Sequence, residues 1–440
     1  MKKHFFALGV LTFLTLSPLQ AQQGKQWTLR QCIDHALANN ISLQQQELQR
    51  QQQEIRLSTA RNRRLPSLNA SAGQNFSFGR GLTMDNTYTN TSTQSTSFSL
   101  GTDIPLFTGF EIPNSIAQSQ LDLKAATEDL AKARNSMSVN VAQAYMQVLY
   151  SREIQGVAQS QVAIDSQQVA RMKALVDNGK ASAAQLSAQQ ASLSQSLLTL
   201  TQAENNLRLN RLTLTQLLEL PSPEGFDVAA PDGELSTEQL LPQPDDIFAQ
   251  AMQTRPEVKA EQYRLEGTEK SIKIAQSGHY PQLSLNAGLG SNYYKTNGMR
   301  AESFGAQLRH NFNQYVGLSL SIPIFNRFST RNSVRSARAN RTAQQLQLDD
   351  TKKQLYKEIQ QAYYNAVNAQ EKFRATRAAV QSANDAFTLM TAKYENGKAN
   401  ITEFNESKNQ LMKAESDRVQ AQYEYLYSLK LLDFYRGQPF

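Results

Sequence analysis

Apolar and polar positions along the chain follow two periods, and the switch between them divides it into elements. From about Leu29 to Arg61 the apolar residues Leu37, Ile41, Leu48 and Ile55 stand at helical spacings, which predicts a helix stopping before Pro66. The period then falls to two. Leu68, Ala70, Ala72, Phe76 and Phe78 alternate with Asn69, Ser71, Gly73, Asn75 and Ser77; past a polar loop, Phe98, Leu100, Ile104 and Leu106 alternate with Ser97, Ser99, Gly101 and Asp103. The same alternation returns at Leu283, Leu285, Ala287 and Leu289, and at Val316, Leu318, Leu320, Ile322 and Ile324, between small polar partners. Four strands in two hairpins are predicted, each with one apolar and one polar face.

A very long helix follows each hairpin. From about Phe110 to Asn178, Ile116, Leu123, Leu130, Met137 and Ala144 lie seven apart. Some 65 helical residues reach about 100 Å. Val334, Arg341, Leu348, Leu355 and Ala362 repeat the spacing, with Arg341 off pattern, and Leu186, Leu193, Leu200, Leu207 and Leu214 form a further ladder of sevens. A seven-residue repeat on neighbouring helices predicts coiled-coil packing.

The two hairpin-and-helix stretches are copies. Leu65-Pro66-Ser67-Leu68 returns as Tyr280-Pro281-Gln282-Leu283 (281 − 66 = 215), and Ile104-Pro105-Leu106-Phe107 as Ile322-Pro323-Ile324-Phe325 (323 − 105 = 218). Gln143-Ala144-Tyr145 and Asn178-Gly179-Lys180-Ala181 return intact at Gln361-Ala362-Tyr363 and Asn396-Gly397-Lys398-Ala399, again at 218. The expected division is therefore a first repeat over residues 22–220, a linker over 221–244 holding five of the 13 prolines, and a second repeat over 245–440.

Composition narrows the setting. Residues 1–21 read as a signal peptide, with Lys2 and Lys3, an apolar core from Phe5 to Leu16, and Leu19-Gln20-Ala21 before the cut. No apolar run in the rest of the chain is long enough for a transmembrane helix. Export without such a helix leaves the periplasm, the exterior, or the outer membrane by way of strands, and the predicted strands are near the ~9–11 residues that cross a bilayer. The formal charge of +7 falls to +5 without Lys2 and Lys3, too small and dispersed for nucleic acid. One cysteine, Cys32, and the scattered histidines His35, His279 and His310 give no disulfide and no metal cluster. No phosphate loop, nucleophile elbow or paired-His motif points to catalysis, so neither catalytic residues nor a cofactor are assigned.

Four strands cannot close a barrel, for which about eight is the practical minimum, so the chain is expected to oligomerise. At this point it resembles the TolC-type outer-membrane efflux channels over essentially its whole length. The specific marks are the two Pro-flanked hairpins, the paired turns around Gly179 and Gly397, and the duplication. The resemblance implies an α+β fold: a homotrimer whose twelve strands form one outer-membrane β-barrel, set in lipid and continued by a coiled-coil helical tunnel through the periplasm of a Gram-negative cell. It also implies an exit duct for an inner-membrane pump, joined by a periplasmic adaptor at the turns Asn178-Gly179-Lys180 and Asn396-Gly397-Lys398.

Carried over position by position, the tunnel constriction of that family falls on Glu403 and Glu406, six and nine residues after Gly397, and on Tyr394, three before it. Its basic residue would stand at Ala399, leaving Lys398 adjacent, and its first-half acid is replaced by Gln185. The other reading weighed is a secreted structural or adhesive coiled-coil protein, which would not need membrane-length alternating strands twice.

Overall fold

A computed structural model describes residues 26–82, 86–230, 240–438 and 440. The expected signal peptide and residues 231–239 of the expected linker lie outside the described residues. The element order is α1 (Leu29–Asn39), α2 (Ile41–Asn62), β1 (Ser67–Leu82), β2 (Tyr88–Thr108), α3 (Glu111–Asp177), α4 (Ala183–Leu217), α5 (Pro244–Thr254), α6 (Pro256–Gln276), β3 (Gln282–Thr296), α7 (Phe304–His310), β4 (Asn313–Ser321), α8 (Ser329–Glu395) and α9 (Ile401–Tyr435). A 3-10 turn, Ser277–His279, joins α6 to β3. The order helix–helix–strand–strand–long helix–helix occurs twice, interrupted in the second copy by α7.

The chain divides into two compact units, and each takes segments from both copies. The described residues of one fall within Met1–Ala38, Asn140–Ser236 and Phe373–Tyr423, and those of the other within Asn39–Val139, Thr237–Lys372 and Glu424–Phe440.

The second unit holds a four-stranded antiparallel sheet in the order β1-β2-β3-β4. Its register gathers the alternation seen in the sequence onto one face. Ala70 pairs with Leu100, Ala72 with Phe98, Leu100 with Leu289, Ala287 with Val316, and Leu285 with Leu318. Serine, asparagine and glycine take the other face, where Asp103 accepts a hydrogen bond from Asn286 (3.1 Å). Nothing in the described chain covers the apolar face: Leu68, Phe78, Val316 and Leu318 are 68–78% exposed. Among the described residues no strand pairs with the outer edge of β1 or of β4.

Three features of this unit depart from the sequence reading. β1, β2 and β3 have 16, 21 and 15 residues, longer than the span needed to cross a bilayer, because hydrogen-bonded pairing continues wherever the partner strand continues. β4 has only 9 residues and stops at Ser321, leaving Ile322 and Ile324 beyond it, since Pro323 has no N–H for a ladder. Pro105 is tolerated inside β2 because the register shifts there, between Pro105 and Phe107. The third feature is α7, which no periodicity in the sequence announces. Its Gln307 amide accepts from Tyr294 N (2.9 Å) and donates to Tyr294 O (3.0 Å), taking the ladder position that a longer β4 would occupy.

The helical core of this unit packs Ile247, Ala251, Val258, Leu348, Leu355, Ile359, Ala362 and Leu432 together. Arg341, the residue off pattern in the heptad, turns to Glu269 of α6 (3.4 Å). The predicted single helix from Leu29 to Arg61 is two helices. Asn40 leaves helical geometry (ψ 127°) and its side-chain oxygen accepts from Ser42 N (2.9 Å), so a local side-chain bond outcompetes helix continuation. The stripe Ile41, Leu48 and Ile55 is 55–65% exposed, whereas Leu43, Leu57 and Ala60 of the same helix are buried.

In the first unit, Trp27 forms a parallel bridge to Val228, and the Tyr145 hydroxyl of α3 closes it by donating to Ala229 O (2.6 Å). Burial pushes that phenol up to about 12. Arg152 donates to Val228 O (2.8 Å), and Arg211 pairs with Asp227 (3.0 Å). The α4 ladder of leucines makes only part of the buried seam expected of it. Leu207 and Leu214 are buried but Leu186, Leu193 and Leu200 only partly so, and the seam's other half is the polar or small series Gln189, Ser196 and Ala203, all buried and also seven apart.

Candidate functional site at the helix-hairpin tips

Two helix-to-helix turns, Asn178–Ser182 and Asn396–Asn400, lie in the first unit and are built alike. Each follows a 67-residue helix and precedes one of 35 residues, and every boundary differs by 218: 329 − 111, 395 − 177, 401 − 183 and 435 − 217. Gly179 and Gly397 sit at φ +71° and +69°, a left-handed conformation that residues with a Cβ disfavour. Their N–H groups bond Val176 O (2.9 Å) and Tyr394 O (3.1 Å), and those of Lys180 and Lys398 reach back to Leu175 O and Lys393 O (both 2.8 Å). These paired bonds close the last turn of each helix. The amides of Asn178 and Asn396 add bonds to Ala174 O (2.7 Å) and Ala392 O (2.8 Å).

The start of each returning helix is closed by a capping box, and this fixes the use of two of the residues read from sequence. Ser182 Oγ accepts from Gln185 N (3.3 Å), while Gln185 Oε1 accepts from Ser182 N (2.9 Å). In the second turn Asn400 Oδ1 accepts from Glu403 N (2.9 Å), while Glu403 Oε2 accepts from Asn400 N (2.9 Å). Gln185 and Glu403 are thus the same structural residue in two copies, one neutral and one charged, each committing one oxygen to its own helix. The Glu403 carboxylate also lies at the positive end of α9. Glu406, one turn on, is exposed and has no ion pair among the described residues. Lys398 is exposed and likewise has none.

Tyr394 faces a different set of groups from the one its sequence neighbours suggested. Its ring stacks on Phe404 (4.9 Å, 30° between planes), which is 1% exposed and also touches Phe387 (5.4 Å). The basic group at Tyr394 is Arg171, from the other hairpin, lying 5.3 Å from the ring centre and pairing with Glu395 (3.6 Å). Burial raises the Tyr394 hydroxyl pKa, with Arg171 opposing. The structure therefore brings together Tyr394, Phe404, Arg171 and Glu395, and leaves Lys398 outside that group. Arg171 and Phe404 carried no sequence signal, because their copies at 218 are Leu389 and Leu186. Among the described residues no group of His, Cys, Asp and Glu could hold a metal ion, and no helix is long and apolar enough to cross a membrane.

Comparison with known proteins gives a consistent picture. The profile of the family described as outer membrane efflux protein matches residues 32–219 and again 247–438. The chain is 25% identical over 382 residues to outer membrane protein OprJ of Pseudomonas aeruginosa, covering 84% of this chain and 75% of that protein. It is 22% identical over 425 residues to outer membrane efflux protein BepC of Brucella suis, covering 96% and 87%. Among solved structures, the CmeC outer membrane channel of Campylobacter jejuni superposes with a TM-score of 0.79 at 17% identity, over 94% of this chain and 86% of that one.

Proposed function

Because the chain belongs to the outer membrane efflux protein family, a family of outer-membrane exit ducts, we propose the following working arrangement for it. Three copies close one barrel of twelve strands, four from each, and the apolar sheet face meets outer-membrane lipid while the serine, asparagine and glycine face lines the passage. The helices carry the passage into the periplasm. Substrate arrives from an inner-membrane pump through a periplasmic adaptor seated on the turns at Asn178-Gly179-Lys180 and Asn396-Gly397-Lys398. The protein makes and breaks no covalent bond. Glu403 and Glu406, with Tyr394, Gln185 and Lys398 beside them, form the narrowest ring.

The observation that carries this reading is the uncovered sheet. An exposed apolar face flanked by two unpaired edges is stable only where lipid covers the face and further strands satisfy the edges. The outward stripe Ile41, Leu48 and Ile55, at the seven-residue spacing of a helical seam, supports a second copy alongside. A secreted coiled coil accounts for the stripe but not for the sheet.

Detergent-corrected light scattering is expected to give three chains, and a stable monomer with full strand content would refute the shared barrel. For the ring, E403Q/E406Q is the informative variant, since Gln185 already performs the Glu403 capping role in the first turn. It is expected to fold normally yet to lose cation selectivity and block by a trivalent cation in planar bilayers, because attraction scales with charge. Unchanged selectivity and block would remove these two residues from the constriction.

A further inference from the structure

Near the start of α9 lies a charge where the seam should be apolar. Lys408 has 1% of its side chain exposed and pairs with Asp165 of α3, whose side chain is fully buried. Asp165 also accepts from Ser196 Oγ and, at 3.5 Å, from Ser192 Oγ, both on α4 and one helical turn apart. Lys408 Nζ lies 3.4 Å from Ser192 Oγ. Four side chains from α3, α4 and α9 therefore form one polar cluster, in which Asp165, Ser196 and Lys408 are buried and Ser192 is half-buried. On α9 it interrupts a run of buried apolar positions, Phe404, Leu411 and Met412. The cluster has no copy in the other hairpin. The residues 218 away are Ala383 for Asp165, Gln410 for Ser192, Ala414 for Ser196 and Gln190 for Lys408.

We propose that the Asp165–Lys408 pair is a positioning element that fixes the rotation of α9 about its own axis and so the direction in which Glu403 and Glu406 are presented. Buried ammonium and carboxylate groups are tolerated only as partners, so any rotation or slide that separates them leaves two unpaired charges out of water. An apolar seam would permit such slippage; a charged seam position selects one register. Helical geometry converts this into a direction. Glu406 lies two residues, about 200°, from Lys408, and Glu403 five residues, about 140°, so burying the lysine turns both carboxylates to the opposite side of α9. Consistent with this, both glutamates are exposed. The returning helix that carries the acids also carries the lysine of the lock, whereas the returning helix of the first repeat has Gln185 in place of Glu403 and Gln190 in place of Lys408.

The electrical part of the test rests on Glu403 and Glu406 forming the constriction, so the primary readout is independent of it. Met412 is buried on the seam side of α9. In a Met412→Cys background, maleimide labelling of the detergent-solubilised trimer reports rotation of that side into solvent. The native Cys32 is silent, because it is buried and its thiol is pushed up to about 12. D165L, which leaves Lys408 unpaired, is expected to speed labelling at least about tenfold. K408M should do so less, since Asp165 keeps its two serine donors, and D165L/K408M should return close to the parent rate. D165L labelling at the parent rate, or the double variant labelling as fast as D165L, would overturn the proposal. If D165L does not assemble, D165N, which keeps the volume and one acceptor, replaces it: faster labelling that D165N/K408M reverses supports the lock, and labelling at the parent rate overturns it. Bilayer reversal potentials are read alongside. A D165L shift that the double variant reverses extends the lock to the ring. Labelling as expected with no shift in D165L or in E403Q/E406Q keeps the lock and discards the constriction.

Discussion

Truncating Phe404 tests how firmly the second tip is held. The side chain is 1% exposed and contacts Tyr394 at 4.9 Å and Phe387 at 5.4 Å. Removing a buried phenyl ring typically destabilises by ~3–5 kcal/mol, of which two aromatic pairs contribute about 0.5–1.5 kcal/mol each. The cavity would open between α8 and α9 beside the turn that joins them, so the loss falls on local opening of the tip rather than on the sheet. Even the lower figure, about 3 kcal/mol, raises the open population roughly a hundredfold. Hydrogen exchange on the assembled trimer is the assay. Amides between Phe387 and Leu411 should lose protection in F404A by about that factor, while those of β1 to β4 stay unchanged. F404L, which refills most of the volume, should lose under about 1.5 kcal/mol. Tip amides in F404A exchanging within twofold of the parent would refute the claim that this ring stack holds Tyr394 in place.

Gly179 and Gly397 have no atom within 4 Å of an added Cβ, so substitution there meets backbone strain alone. G179N/G397N is expected to keep the turn and efflux, since asparagine tolerates positive φ. G179V/G397V should lose about 1–2 kcal/mol per turn and reduce efflux with the trimer intact, and unchanged efflux would count against adaptor docking there. Burial raises the Glu415 pKa above 4.5, with Arg418 opposing. The folded state therefore binds that proton more tightly than the unfolded one. The stability it contributes is fully present below the unfolded value and is lost as pH rises through the raised folded value. E415Q should gain thermal stability relative to the parent as pH climbs through that window, and parallel melting curves in detergent would contradict the shift.

The parts of the molecule legible in the sequence are those that repeat. Alternation fixed which residues share a sheet face, because side-chain direction in a strand depends only on parity, and the 218-residue offset carried the turn glycines from one copy to the other. Asn40 was hidden because one side chain bonding its own backbone leaves the apolar spacing of Leu37 and Ile41 undisturbed. The Gln189 and Ser196 half of the α4 seam was hidden because period analysis counts apolar residues, and these are polar. Arg171 meeting Tyr394, and Asp165 meeting Lys408, join residues more than 200 positions apart in the chain, in pairs with no copy across the duplication. Local pattern has no access to such pairs.

The identical helix lengths make the two halves a matched pair of rulers. Seven residues removed from α3 alone would draw its glycine turn back by about 10 Å and leave the α8 turn where it was. Seven removed from α3, α4, α8 and α9 together would shorten both by the same amount and keep every heptad in phase. Length variation in this chain is therefore a collective coordinate. Insertions and deletions in the long helices are tolerable in matched sets of whole heptads, whereas the β3–β4 connection, which α7 already occupies without a counterpart among the described residues, can change alone.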